Sequence, residues 1–208
     1  MKCENEYEIA WWKEGKQKIV GIDEAGRGPI AGPLVVAAVS FPSGFEHDSI
    51  YDSKKLSEKK RLALFDEIKQ LASEYHIKIV TPQEVDEYNI YRATQRAMQE
   101  LATSFDHADG VLTDAMPLPD CSLDVISLVK GDQKSVSIAA ASILAKVTRD
   151  EIMKEYDKKY PEYGFAKHKG YPTKGHLEAM HKYGVIDGFY RKSYGPVAKM
   201  EQMTLDLE

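Results

Sequence analysis

Val20-Gly21-Ile22-Asp23-Glu24-Ala25-Gly26-Arg27-Gly28-Pro29 places two adjacent carboxylates at the end of a short apolar run and an arginine between two glycines directly after them. Successive residues of a strand face opposite ways, so Asp23 and Glu24 can serve one site only where the strand ends or bends. Gly26, Gly28 and Pro29 permit such a bend. Glycines also admit close backbone approach, and an arginine between them points to a nearby phosphate or ribose. The ten residues alone fit equally well a plain strand end with solvated charges.

Working outward, Lys18–Ile22 reads as a first strand and the unbroken apolar run Leu34–Val39 as a buried second one. The Gly/Pro link between them favours antiparallel pairing. Trp11 and Trp12 are expected across the core edge. Ser57 is a candidate N-cap for a helix over about 58–75, with Leu62, Phe65, Ile68 and Leu71 at helical spacing. Ile77–Val80 alternates as a strand, and Thr81-Pro82-Gln83-Glu84 is a strong helix start leading to about Phe105, with a break near Asn89. Gly110–Asp114 and Asp124–Val129 read as further strands. Ser135 to about Tyr160 reads as a long helix whose first half, Ile138–Ala145, is apolar all round and so buried. Beyond Pro161 glycines punctuate an aromatic, basic region with one short helix over Lys174–Tyr183. The expected division is a core over 1–160, an extension over 161–200 packed on it, and a flexible tail over 201–208.

The 208 residues suffice for one large domain. Hydrophobic residues make up 43% and charged residues 29%, an ordinary globular mix. No apolar run approaches the roughly 20 residues that span a bilayer, and no signal-like segment opens the chain, so a cytoplasmic protein is expected. Cys3 and Cys121 are the only cysteines. They form no CxxC, so nothing points to structural zinc. The net charge of −5 argues against a nucleic-acid partner, but its distribution argues for one. Lys130–Lys199 holds 14 Lys/Arg against 8 Asp/Glu, a local net of +6 that leaves −11 elsewhere. One basic face for a polyanion is the expectation.

Three apolar runs end in acids: Asp23-Glu24, Asp114 and Asp132. Buried carboxylates gathered without cations repel one another strongly. Bound divalent metal removes that cost, and an oxygen-only donor set suits Mg²⁺ or Mn²⁺ better than Zn²⁺. Two such ions can clamp the attacking water and the leaving oxygen of a phosphodiester. Asp150 competes for the fourth place. It follows Asp132 by 18 residues, which along a helix is over roughly 20 Å, so both cannot touch one metal pair. Asp132 is preferred, and Asp150 is given a structural role.

The motifs GIDEAGRG at 21–28, DSKKLS at 52–57, the Asp114 strand, KGDQKSVSIAAASILAKVTRDEIM at 130–153 and HKGYPTKGH at 168–176 together resemble the bacterial ribonuclease HII family. They stand in colinear order across about 19–196, and several long motifs together are far more specific than any one. The resemblance implies an α/β, RNase H-like fold: a central mixed sheet flanked by helices, with a helical C-terminal extension. It implies an endoribonuclease that cuts the RNA strand of RNA–DNA hybrids. Such an enzyme also incises 5′ of single ribonucleotides in duplex DNA, leaving 3′-hydroxyl and 5′-phosphate ends. It implies that Asp23, Glu24, Asp114 and Asp132 bind Mn²⁺ or Mg²⁺. Gly26, Arg27 and Gly28 would contact the ribose 2′-hydroxyl and adjacent phosphates, and Tyr171 would sense the same hydroxyl.

Those roles suit the residue types, since the 2′-hydroxyl is what separates RNA from DNA at a given site. Lys54, Lys55, Lys146 and Lys169 are candidate phosphate contacts. His168, His176 and His181 are assigned no role. The segment Gln202–Leu207 resembles the Gln-x-x-Leu-x-Leu peptides that bind the bacterial sliding clamp, with Met203 where a Leu is usual; a plain acidic tail is the simpler reading. No membrane partner and a monomer are expected. The rivals are another RNase H-like nuclease, such as a Holliday-junction resolvase, and a hybrid-binding protein without catalysis. Four clustered acids would gain a mere binder nothing.

Overall fold

A computed structural model describes residues 3–205 of the chain. Its five-stranded sheet has the order β3-β2-β1-β4-β5, with β1 Ile19–Ala25, β2 Leu34–Ser40, β3 Glu74–Val80, β4 Gly110–Asp114 and β5 Asp124–Leu128. β1 pairs antiparallel with β2, as its short link requires, and parallel with β4, which pairs parallel with β5. The sheet is therefore mixed. The chain separates into two compact units. One comprises residues up to Ala25, Val35–Lys78 and Thr94–Val147; the other comprises Gly26–Leu34, Ile79–Ala93 and Thr148 onward. The second unit thus joins residues 161–200 to two short segments from much earlier in the chain.

In the first unit every residue of β2 is buried, as are the first five of β1, which is the pattern of strands covered on both faces. α5 (Val136–Lys159) begins in this unit, and every residue of its small apolar stretch Ile138–Ala145 is buried. Gly21 makes that closeness possible, because a Cβ there would overlap the backbone of Ser137 and Ile138. α2 (Glu58–Leu71) starts where Ser57 predicts, its hydroxyl accepting from Lys60 N at 3.3 Å. It stops short of Tyr75, which joins β3 instead.

The N-terminal helix has no clear signal in the sequence. α1 (Glu6–Lys13) docks at the start of α5: Asn5 Oδ1 accepts from Val136 N at 3.0 Å, and buried Glu8 accepts from Ser135 Oγ at 2.5 Å and Ser137 N at 3.3 Å. These side chains satisfy amides that a helix start leaves without partners. Its Trp11 is buried with Ile19, Leu112, Leu128 and Ile138, while Trp12 is only partly buried.

α3 (Pro82–Ala102) begins with a reciprocal cap: Thr81 Oγ1 accepts from Glu84 N at 3.2 Å and Glu84 Oε2 accepts from Thr81 N at 2.8 Å. The break falls at Asn89 (φ 61°, ψ 161°), whose side chain recaps the continuing helix through Arg92 N at 3.1 Å.

The second unit has its own core of Ile30, Met153, Phe165, Phe189, Tyr190 and neighbours, with the Tyr156 and Phe189 rings stacked 3.6 Å apart. Gly26–Leu34 is laced into it: Ile30 N donates to Gly170 O at 3.0 Å, Gly32 N to Phe189 O at 2.8 Å, and Arg191 N to Ile30 O at 2.9 Å. After the single turn α6 (Phe165–His168), α7 runs over Lys174–Tyr183, as read from the sequence. α8 (Gly195–Leu205) includes residues 201–205 of the segment read as a tail. No helix among the described residues is long and apolar enough to cross a membrane.

Candidate active site

The parallel β1–β4 ladder sets Ile22 beside Thr113, so Asp23 and Asp114 follow at the same level, Asp114 ending β4 and Asp23 lying two residues before the end of β1. β4 continues beside β5 to the pair Asp114–Leu128. Lys130 then adopts a left-handed conformation (φ 58°) and turns the chain into the short helix α4 (Gly131–Lys134). Gly131 N donates to Asp114 Oδ1 at 2.8 Å, tying the turn that carries Asp132 to the neighbouring acid. Asp132 therefore sits in the first turn of α4, just past the strand end where the sequence places it. Topology brings together three acids that are 91 and 18 residues apart in sequence.

Their electrostatics follow from burial. Asp23 is 5% exposed and Asp132 4%. Burial first, then the charges of Glu24 and Asp114, hold the Asp23 carboxyl well above the usual carboxylate range. Hydrogen bonds from Glu24 N, at 2.7 Å, and from Ser142 offset this in part. Asp132 is pushed up to about 6 by burial, then by Asp52 and Asp114, against the opposing pull of Lys54. Glu24 is half-buried and lies within β1, which runs through Ala25 without bending at the acids. Among the described residues no three His, Cys, Asp or Glu side chains converge in metal-ligating geometry.

Asp52 is the acid that sequence reading passed over. It is buried, accepts from Lys54 N at 2.9 Å and Gln133 Nε2 at 3.2 Å, and hydrogen-bonds Asp132. Its one signal is its place immediately ahead of Ser53-Lys54-Lys55. Lys54 follows it in a single 3-10 turn, Ser53–Lys55. Burial would lower its ammonium, but Asp132, Asp23, Asp52 and Asp114 together hold it above the ordinary lysine value. Its charge thus answers the acid cluster directly. Lys55 is exposed and lies over the Tyr51 ring, 5.1 Å from its centre, and Lys146 is half-buried on α5.

In the second unit Gly26 has φ +100°, and a Cβ there would overlap the Arg149 side chain. Arg27 and Gly28 are exposed. A Cβ on Gly28 would come 3.2 Å from Tyr171 Cε1, so the Tyr171 ring, 47% exposed, stands directly beside the glycine turn. The Tyr171 backbone is held at both ends. Its N donates to His168 O at 2.9 Å, and its carbonyl lies 2.8 Å from His176 Nδ1.

A carbonyl only accepts, so Nδ1 carries the proton, and His176 Nε2 accepts from Tyr190 OH at 2.8 Å. His176 is fully buried, and burial, with the nearby His168, lowers its pKa to about 4 against the pull of the Tyr171 carbonyl. His168 stacks on it at 4.1 Å. Two histidines without an assigned role therefore act as supports for Tyr171, and His181 is exposed. Lys169 is half-buried at φ 52°, its carbonyl accepting from Arg149 Nη1 at 2.9 Å. Asp150 belongs to this unit, and its charge acts on Arg149.

The model of the Ribonuclease HII family matches residues 20–196. A ribonuclease HII of Bacillus cytotoxicus is 53% identical over 197 residues, covering 94% of this chain and 75% of that protein. The crystal structure of ribonuclease H2 from Pyrococcus horikoshii superposes with a TM-score of 0.75 at 27% identity, covering 89% of this chain and 98% of that one. The ribonuclease HII of Archaeoglobus fulgidus, solved in complex with PCNA, gives a TM-score of 0.71 at 26% identity, covering 85% and 95%.

Proposed function

The chain belongs to the ribonuclease HII family and is a type 2 ribonuclease H that cleaves the RNA strand of RNA–DNA hybrids; we propose that it also incises 5′ of single ribonucleotides in duplex DNA. The cut would leave a 3′-hydroxyl and a 5′-phosphate. The observation that carries the reading is the set Asp23, Asp114 and Asp132, in which burial and then neighbouring carboxylate charge hold Asp23 and Asp132 above the ordinary carboxylate range.

A cluster so poor in positive charge fits divalent metal, and its donors are all oxygen, which favours Mg²⁺ or Mn²⁺. Asp23, Glu24, Asp114 and Asp132 would hold the ions. Bound there, two such ions would supply an activated water and a stabilised leaving oxygen. The chain's own residues do the rest. Lys54 lends a charge beside the acids where a phosphate would dock, and Lys55, Lys146 and Lys169 extend the phosphate contacts. The amides and side chain of Gly26-Arg27-Gly28 read the ribose 2′-hydroxyl and adjacent phosphates, with the Tyr171 ring beside them.

The C-terminal segment Gln202–Leu207 is proposed to tether the enzyme to the sliding clamp, a reading supported by the Archaeoglobus fulgidus relative's complex with PCNA. Helix α8 covers the segment to Leu205, and Asp206 and Leu207 lie outside the described residues. Deleting 202–208 should weaken clamp binding; equal binding by the deleted protein sinks the tether. The compartment proposed is the cytoplasm and the working unit a monomer.

Duplex DNA carrying one ribonucleotide, incubated with Mg²⁺ or Mn²⁺ and either wild type or Asp23→Asn, tests the main reading. Wild type should nick 5′ of the ribonucleotide and the variant should not. Equal cutting of an all-DNA duplex would show another RNase H-like nuclease instead.

A further inference from the structure

Two arginines of the second unit, Arg149 and Arg191, are 1% and 0% exposed, and what they donate to is chiefly backbone. Arg191 Nη2 reaches Gly26 O at 2.7 Å, its Nη1 reaches Arg27 O at 3.1 Å, and its Nε reaches Gly32 O at 3.1 Å. Tyr194 completes the grip: it accepts from Arg191 Nη1 at 3.0 Å and donates to Arg27 O at 2.5 Å. Arg149 holds the far side of the same loop through Pro33 O at 2.9 Å and Ala31 O at 3.2 Å. Burying a guanidinium is costly unless its fork of donors is well matched, so fixing a short loop in this way needs a reason beyond packing.

Peptide planarity supplies one. No peptide here is cis, and in a trans unit the C=O and the following N–H point in opposite directions. With the carbonyls of Gly26 and Arg27 both turned onto Arg191, the amides of Arg27 and Gly28 are both aimed away from it. Two successive amides aimed the same way form a concavity for anionic or hydroxyl oxygen. We infer that Arg191 and Tyr194 are positioning residues that set the ribonucleotide preference of the enzyme by orienting the Arg27 and Gly28 amides. This rests on the proposal that Gly26-Arg27-Gly28 reads the 2′-hydroxyl. It adds that the selectivity is held from behind, by a buried guanidinium that touches no substrate. Lysine cannot replace it, since one ammonium lacks the planar fork that spans two carbonyls.

The test measures affinity for a duplex with one ribonucleotide and for the same duplex in all-DNA form, by titration without divalent metal, for wild type, Arg191→Lys, Tyr194→Phe and Arg27→Ala. Arg191→Lys should lower the ribonucleotide preference about tenfold and Tyr194→Phe, which loses the hydroxyl's bonds to Arg191 and to Arg27 O, about threefold, with all-DNA affinity unchanged. A purely structural role would weaken both substrates alike. If Arg191→Lys fails to fold, Tyr194→Phe, which removes one hydroxyl, decides alone. If Arg27→Ala loses preference while every folded Arg191 or Tyr194 variant keeps it, the inference is overturned and the reading of the turn survives. If wild type shows no preference, that reading fails and this inference with it; if Arg27→Ala keeps it in full while Arg191→Lys or Tyr194→Phe loses it, selection lies in the amides, as inferred.

Discussion

In the first unit Asp23, Asp52, Asp114 and Asp132 face one another with Lys54 set against them, and burial plus mutual repulsion drives Asp23 and Asp132 toward their neutral forms. In the second unit Arg149 and Arg191 are also buried as like charges, Arg149 lowered to about 10 by burial and then by Arg191. The difference lies in their partners. The guanidiniums are matched by carbonyl oxygens already in place, so that region is electrostatically complete. The carboxylates are matched by single amides, a serine hydroxyl and one lysine, so that region gains from an added cation. A complete charge cluster supports; an incomplete one binds.

Asp23→Asn should break the comparison most visibly. Cleavage should fall on the order of a thousandfold or more. Metal-free stability should rise, because a carboxyl whose folded pKa is raised costs stability once pH exceeds its unfolded value, and Asn cannot ionise. Thermal melts with and without Mn²⁺ check this: wild type should gain from metal and the variant much less. A variant less stable than wild type without metal would show the cluster is not under repulsion.

Gly26→Ala tests the other region. A Cβ at φ +100° and against Arg149 should cost about 3 kcal/mol in urea unfolding.

His176 offers a pH test. Its folded pKa, about 4, lies below the ordinary 6.5, so the fold favours the neutral ring. That stability is complete above about pH 6.5 and is lost as pH falls toward 4, roughly 3 kcal/mol at most. Urea melts across this window should slope for wild type and flatten for His176→Gln.

The smallest effect is expected for Asp52→Asn. It keeps an acceptor for Lys54 N, relieves Asp132, and should raise metal-free melting by a few degrees with kcat/KM within about tenfold of wild type. A loss matching that of Asp23→Asn would make Asp52 a member of the metal set.

Much of the fold is legible in the chain because its signals are local. The Ser57 and Thr81 caps, the break at Asn89, the bounds Lys174–Tyr183 and the antiparallel β1–β2 pair all follow from residues within a few positions of one another. α1 escapes because its amphipathic pattern is weak and its stabilising partners, Ser135 to Ser137, lie over 120 residues away.

The same division runs through the site. Acids at the ends of apolar runs mark Asp23, Glu24, Asp114 and Asp132, and glycines around Arg27 mark a close backbone approach; residue type and spacing alone convey both. Asp52, Arg191, Tyr194 and His176 carry no comparable mark. An acid before a basic run, an arginine in a basic region and a histidine among histidines look solvated until folding buries them. Only the parallel ladder that sets Asp23 beside Asp114, and the core that buries Arg191 under the Gly26–Arg27 carbonyls, make their roles visible. Burial and partner identity are long-range properties, and charge acquires its energetic meaning only after water has been removed from around it.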